Sequence, residues 1–208
     1  MDLEDYILSH GDAESEQLAG INRKTYLRMV NPRMLSGHLQ GRVLSMLSKM
    51  IRPDSVLEIG TFTGYSALCL AEGLSAKGKL HTIECDDELE DFILENLRGS
   101  EYQDKIELHI GDALTLIPQL DEIFDLVFID ADKREYLAYY DVVFPKVRKG
   151  GFILVDNTLW DGKVLKETVR DDAQTAAIRK FNDVIAADTN IEKLILPLRD
   201  GLTLIRKK

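Results

Sequence analysis

Apolar residues recur at three- and four-residue spacing through Leu39, Val43, Leu44, Leu47 and Met50. That period predicts helix across the first fifty or so residues, and Pro53 ends it because its ring cannot continue a helical ladder. The pattern then changes. Short apolar runs, Ser55 to Ile59, Leu80 to Glu84, Ile106 to Ile110, Leu126 to Ile129 and Phe152 to Val155, alternate with helical stretches such as Ser66 to Leu74. This alternation predicts a parallel sheet with helices on both faces. The last two runs, Leu194 to Leu198 and Leu202 to Ile205, are separated only by Arg199, Asp200 and Gly201. Too few residues lie there for a crossover helix, so an antiparallel hairpin is expected to close the sheet. With no internal repeat, low-complexity tract or linker, the expectation is one α/β domain over 1–208. Its helices from 1–50 would cover a ligand crevice on a core formed by 51–208.

Composition narrows the function classes. A chain of 208 residues with 45% hydrophobic content can bury one sizeable core. No stretch approaches the ~18 apolar residues of a membrane span, and the start, Met-Asp-Leu-Glu-Asp, lacks the basic region of a secretion signal. A cytoplasmic location is expected, without membrane attachment. Cys69 and Cys85 have no partner spacing for zinc or redox chemistry and are expected as buried free thiols. A formal charge of −10 disfavours broad nucleic-acid binding and favours a small-molecule substrate.

The first chemistry-bearing motif is Glu58-Ile59-Gly60-Thr61-Phe62-Thr63-Gly64-Tyr65-Ser66, between the first apolar run and a helical stretch. Glycine at 60 permits close backbone approach to a ligand, and a helix N-terminus suits an anionic group. The spacing is not that of a dinucleotide fingerprint, because Phe62 and Tyr65 stand where further glycines belong; this disfavours a nicotinamide dehydrogenase. Glu84 closes the next run, where an acidic side chain accepts ribose hydroxyls in such folds. After the third run, Asp112 either reaches an adenine amino group or caps the following helix.

The fourth and fifth runs end in Phe128-Ile129-Asp130-Ala131-Asp132-Lys133 and Val155-Asp156-Asn157. Ligands bind at the C-terminal ends of parallel strands. Carboxylates and an amide converging there are hard oxygen donors suited to Mg²⁺, Mn²⁺ or Ca²⁺. These two segments, with Leu57 to Ser66 and Asp156-Asn157-Thr158-Leu159-Trp160-Asp161-Gly162, resemble the cation-dependent caffeoyl-CoA and catechol O-methyltransferase family over roughly residues 30 to 205.

The resemblance implies a Rossmann-like class I methyltransferase fold with a seven-stranded, mostly parallel sheet, and a homodimer. It implies S-adenosylmethionine as methyl donor, held by Ser36, Glu58, Gly60, Thr61, Ser66, Glu84, Asp112, Ala113 and Asp132. It implies a divalent cation, Mg²⁺ first, on Asp130, Asp156 and Asn157. It also implies that a hydroxyl beside that cation is methylated, with Asp130 and Lys133 as catalytic residues. Lys133 either accepts the hydroxyl proton or stays charged and steadies the oxyanion; out of context it reads as an ion-pair partner. Trp160 and Asp161 border the expected acceptor pocket, the indole either stacking on a flat ring or packing in the core. Plant caffeoyl-CoA enzymes carry an asparagine at the position of Asp161 and an N-terminal substrate segment upstream of this chain's start, so a different catechol-like or phenolic acceptor is expected. A hydroxylated uridine in tRNA is the alternative acceptor, with Arg23, Lys24, Arg28 and Arg33 as the basic concentration near the entrance. A non-catalytic nucleotide-binding protein on the same fold is the alternative of another class.

Overall fold

The computed structural model describes residues 3–166 and 172–208. Helices α1 (Leu3–Ser9), α2 (Glu16–Arg28) and α3 (Gly37–Ile51) come first. Strands and helices then alternate as β1 (Ser55–Ile59), α4 (Tyr65–Ala71), β2 (Lys79–Glu84), α5 (Glu90–Leu97), β3 (Ile106–Ile110), α6 (Ala113–Leu116), β4 (Phe124–Ile129), α7 (Tyr136–Val143), β5 (Val147–Val155), α8 (Ala173–Ala187), β6 (Ile191–Leu196) and β7 (Leu202–Lys207). The order across the single seven-stranded sheet is β3-β2-β1-β4-β5-β7-β6. Strands β1 to β5 pair in parallel, and β7 runs antiparallel to both β5 and β6. This is the parallel sheet with a closing antiparallel hairpin that the run pattern predicts, and the seven-stranded class I methyltransferase arrangement that the resemblance implies.

The hairpin differs from expectation in its bounds. β6 spans Ile191–Leu196 and the connection is 197–201. Pro197 lacks the N–H a ladder needs, so the strand stops before it although the apolar run continues to Leu198. β5 begins at Val147, five residues upstream of its apolar run, and a register shift lies between Phe124 and Leu126 on its neighbour. The polar residues Arg148 and Lys149 hide that extension from a hydrophobicity reading.

Alternate residues of the central strands feed two cores. On one face Leu57, Ile59, Val127, Ile129, Ile153 and Val155 pack under Tyr136, Tyr140 and Val143 of α7 and Phe181 and Ile185 of α8. On the other, Val56, Leu126, Phe128 and Leu154 meet Leu18 and Ile21 of α2, Leu44 of α3 and Tyr65 to Leu70 of α4. Of the N-terminal helices, α2 and α3 thus share a core with the sheet, whereas α1 buries no residue. No helix among the described residues is long and apolar enough to cross a membrane. Cys69 is buried in the second core, but Cys85 is exposed, contrary to the expectation of two buried thiols. It lies one residue past β2, where the chain turns outward.

Candidate active site

The strand order reverses between β1 and β4, and there the C-terminal ends of the strands open into a crevice of about 1360 Å³. Close backbone approach makes the crevice floor. The Gly60 N–H donates to the Ile83 carbonyl (2.9 Å) and the Asp130 N–H to that of Ile59 (2.9 Å), stitching three strand ends together. Gly60 has φ +99°, and a Cβ there would stand 2.1 Å from the Asp130 carbonyl oxygen. Only glycine fits.

Of the donor-site expectations, Ser36, Gly60, Thr61, Ser66, Glu84, Asp112, Ala113 and Asp132 all line this crevice. Their side chains differ in what remains available. Glu84 accepts the Phe62 N–H (2.8 Å) and the Asp86 N–H (3.0 Å), so it shapes the glycine turn as well as facing the cavity. Asp112 caps α6 by accepting the Thr115 N–H (2.8 Å). The Asp132 carboxylate is engaged by the Arg134 guanidinium. The Thr61 hydroxyl turns inward to Thr82, whose own hydroxyl donates to Glu58 (2.5 Å). Thr61 therefore offers the crevice its backbone.

Glu58 is fully buried and does not line the crevice, because even-numbered β1 positions point into the core beneath α4. Burial pushes its carboxyl up to about 8, opposed by the neighbouring hydroxyls of Ser66 and Thr82. Its carboxylate lies beneath the crevice floor, next to Ser66 and Thr82.

The acidic cluster occupies the β4 and β5 ends. Asp130, Asp156 and Asn157 all line the crevice. Asp156 is 2% exposed. Burial first, and the Asp130 charge second, raise its carboxyl well above the usual carboxylate range. Against that stand the Gln40 amide, donating to Oδ2 (2.7 Å), and the Asn157 N–H, donating to Oδ1 (2.8 Å). Lys133 is buried beside the pair, its Nζ 2.7 Å from Asp130 Oδ1 and 5.3 Å from the centre of the Tyr136 ring.

The segment after Asp156 bends sharply. Asn157, Trp160 and Asp161 have φ of 58°, 48° and 50°. Each such non-glycine residue costs on the order of 1–3 kcal/mol, and such strain clusters at functional sites. Trp160 lines the crevice, and its indole Nε1 is buried with no hydrogen-bond partner among the described residues. Asp161 does not line it; the left-handed turn carries that side chain away.

Two residues here escape a sequence reading. Gln40 is 1% exposed on α3 and binds Asp156 from a helix remote in the chain. Arg199, in the β6–β7 connection, donates to Gln40 Oε1 (2.9 Å), to the Leu35 carbonyl (3.1 Å) and to the Ser36 carbonyl. Arg199 therefore ties the N-terminal segment to the closing hairpin, and Gln40 passes that tie to the acidic cluster. Its place among the buried positions of α3, one turn before Leu44, was the available signal for Gln40. The basic concentration at the entrance is partly neutralised, because Lys24 (2.8 Å) and Arg28 (3.0 Å) both pair with Glu95.

A family model described as O-methyltransferase matches residues 8–208. Caffeoyl-CoA O-methyltransferase of Stellaria longipes is 32% identical over 204 residues, covering 93% of this chain and 84% of that protein. Caffeoyl-CoA O-methyltransferase 1 of Eucalyptus globulus is 37% identical over 180 residues, with 81% and 72% covered. Among solved structures, the O-methyltransferase TomG of Streptomyces achromogenes, in complex with S-adenosylmethionine, superposes with a TM-score of 0.91 at 28% identity, covering 99% of this chain and 96% of that one. Sheet order, crevice and family match agree: the chain belongs to the O-methyltransferase family and is an S-adenosylmethionine-dependent O-methyltransferase.

Proposed function

We propose that the enzyme methylates a hydroxyl of a small catechol-like or phenolic acceptor, with a divalent cation, Mg²⁺ first, held by Asp130, Asp156 and Asn157. The observation that carries this reading is the buried Asp156 carboxylate facing a second carboxylate. Two acids in one dry corner repel, and Gln40 and one backbone N–H offset only part of that cost. A hard cation fits this donor set. When bound, it supplies a lower pKa for an adjacent hydroxyl, which for a phenol is otherwise ~10.

The chain's own residues do the rest. Glu84 receives the donor's ribose, Ser66 its carboxylate, and the 112–113 turn its adenine. Ser36, from the segment that α3 follows, and Asp132 close over the sulfonium. Lys133 Nζ stands beside Asp130 and accepts the acceptor's proton or holds the developing oxyanion. Trp160 walls the acceptor side, its ring available to a flat substrate. TomG's bound S-adenosylmethionine and the caffeoyl-CoA acceptors named in the plant relatives support the two halves. The reading includes one domain, with residues 1–50 as its roof, working in the cytoplasm as a homodimer.

A transfer assay with labelled donor tests it. Catechol-type acceptors are expected to be methylated with Mg²⁺, to lose essentially all turnover after chelation and to regain it on adding Mg²⁺. Chelator-resistant turnover would remove the cation, and methylation of hydroxylated tRNA in preference to every phenolic would replace the acceptor class.

A further inference from the structure

A second cluster of metal-ligating groups lies outside the crevice, on the edge of the sheet formed by β2 and β3. Period-two alternation puts Glu107 and His109 on one face of β3, and the parallel register pairs His81 of β2 with Glu107. The resulting geometry is tight. His81 Nδ1 lies 3.1 Å from His109 Nε2 and 3.5 Å from Glu107 Oε2. One ligand atom from each residue falls within 4.8 Å of both others. Two ligands held at ~2.0–2.1 Å by a tetrahedral ion sit roughly 3.3–3.4 Å apart, so the spacing around His81 Nδ1 is close to what such an ion imposes.

We propose that His81, Glu107 and His109 bind a zinc-class transition-metal ion that clamps β2 to β3. Two imidazoles and one carboxylate are the donor set of three-ligand zinc sites, which complete their shell with water. Imidazole nitrogen separates this site from the all-oxygen cluster at Asp130 and Asp156, which suits hard cations. The surroundings also fit. His81 is 4% exposed, and its far ring nitrogen, Nε2, faces the Glu122 carboxylate at 3.7 Å, beyond hydrogen-bond distance. Lys79 pairs with Glu107 Oε1, leaving Oε2 turned to the imidazole. Phe124 packs edge-on to His81 and shields one side. Burial, and then the neighbouring His81, lower the His109 pKa, which favours the neutral imidazole a metal requires. None of the three lines the crevice. The ion would hold β2 three residues before Glu84, on the strand that carries the ribose site.

Chelator-stripped protein titrated with Co²⁺ tests this by the intense visible absorption of tetrahedral cobalt. The expected result is one equivalent of such a band, displaced by Zn²⁺, retained in Asp156→Ala, and weakened at least about tenfold in affinity by either His109→Gln or Glu107→Gln. Both variants alter half-buried or exposed side chains, and matching circular dichroism of the metal-free forms confirms their fold; if one does not fold, the other decides. No tetrahedral band in the wild type, or a band that survives both substitutions, would overturn the proposal.

Discussion

Two acids, Glu72 and Asp156, both lie out of full solvent contact, and the chain treats them in opposite ways. Glu72, just past α4, receives Arg42 at 2.6 and 3.0 Å, the Ser45 hydroxyl at 2.6 Å and Lys49 at 2.9 Å. Burial alone would raise its carboxyl, but these donors outweigh burial and hold it at about 2. Asp156 has burial and Asp130 against it, with two amides and the weaker pull of the Lys133 charge in its favour. Charge is fully compensated at the joint between α3 and α4, and only partly compensated at the crevice, where Lys133 pairs with Asp130 rather than with Asp156. Both acids depend on α3, which supplies Arg42, Ser45 and Lys49 to one and Gln40 to the other.

That contrast can be broken at its functional end first. Asp156→Ala is expected to reduce methyl transfer by at least about 100-fold, since it removes one of the three proposed cation ligands outright. Calorimetry with S-adenosylmethionine should show donor affinity within a few-fold of wild type; equal loss of both would make Asp156 structural and erase the difference from Glu72. Lys133→Met is expected to lower kcat by about 10²-fold or more with KM little changed, in the range that positioned proton transfer contributes. A change in KM alone would make Lys133 only a partner of Asp130.

The smallest effect on catalysis belongs to Glu72. Glu72→Gln should leave kcat within a few-fold of wild type and lower stability by on the order of 2–3 kcal/mol, read as a fall in the denaturant midpoint. The sign follows from the shift: a carboxyl held at about 2 when folded, against 4.5 otherwise, contributes stability above that unfolded value. The contribution is lost as pH falls from about 4.5 to about 2. The wild type should therefore lose more stability across that window than the variant, and parallel curves would show that Arg42, Ser45 and Lys49 do not stabilise the ionised acid.

Local chemistry was legible in the chain wherever a motif carries its own geometry. The apolar runs that become β1 to β4, the glycine turn at Gly60 and the acids at the β4 and β5 ends were readable, because strand period, glycine's φ and strand-end position are short-range properties. The side on which a residue falls was harder. Glu58 opens the donor motif but points beneath it, since parity along β1 decides its face. Asp161 follows Trp160 in sequence but leaves the crevice at a left-handed turn.

The sequence by itself thus determined the class of fold, the strand-end placement of the acids and the glycine that must line the crevice floor, all of which follow from spacing and residue chemistry. Tertiary structure alone decided which groups meet: Gln40 against Asp156, Arg199 against Gln40 and Ser36, and His81 against His109. Those partners lie between 28 and 163 positions apart. Only helix packing and strand register, which sum many weak contacts across the whole core, can bring them within hydrogen-bond distance.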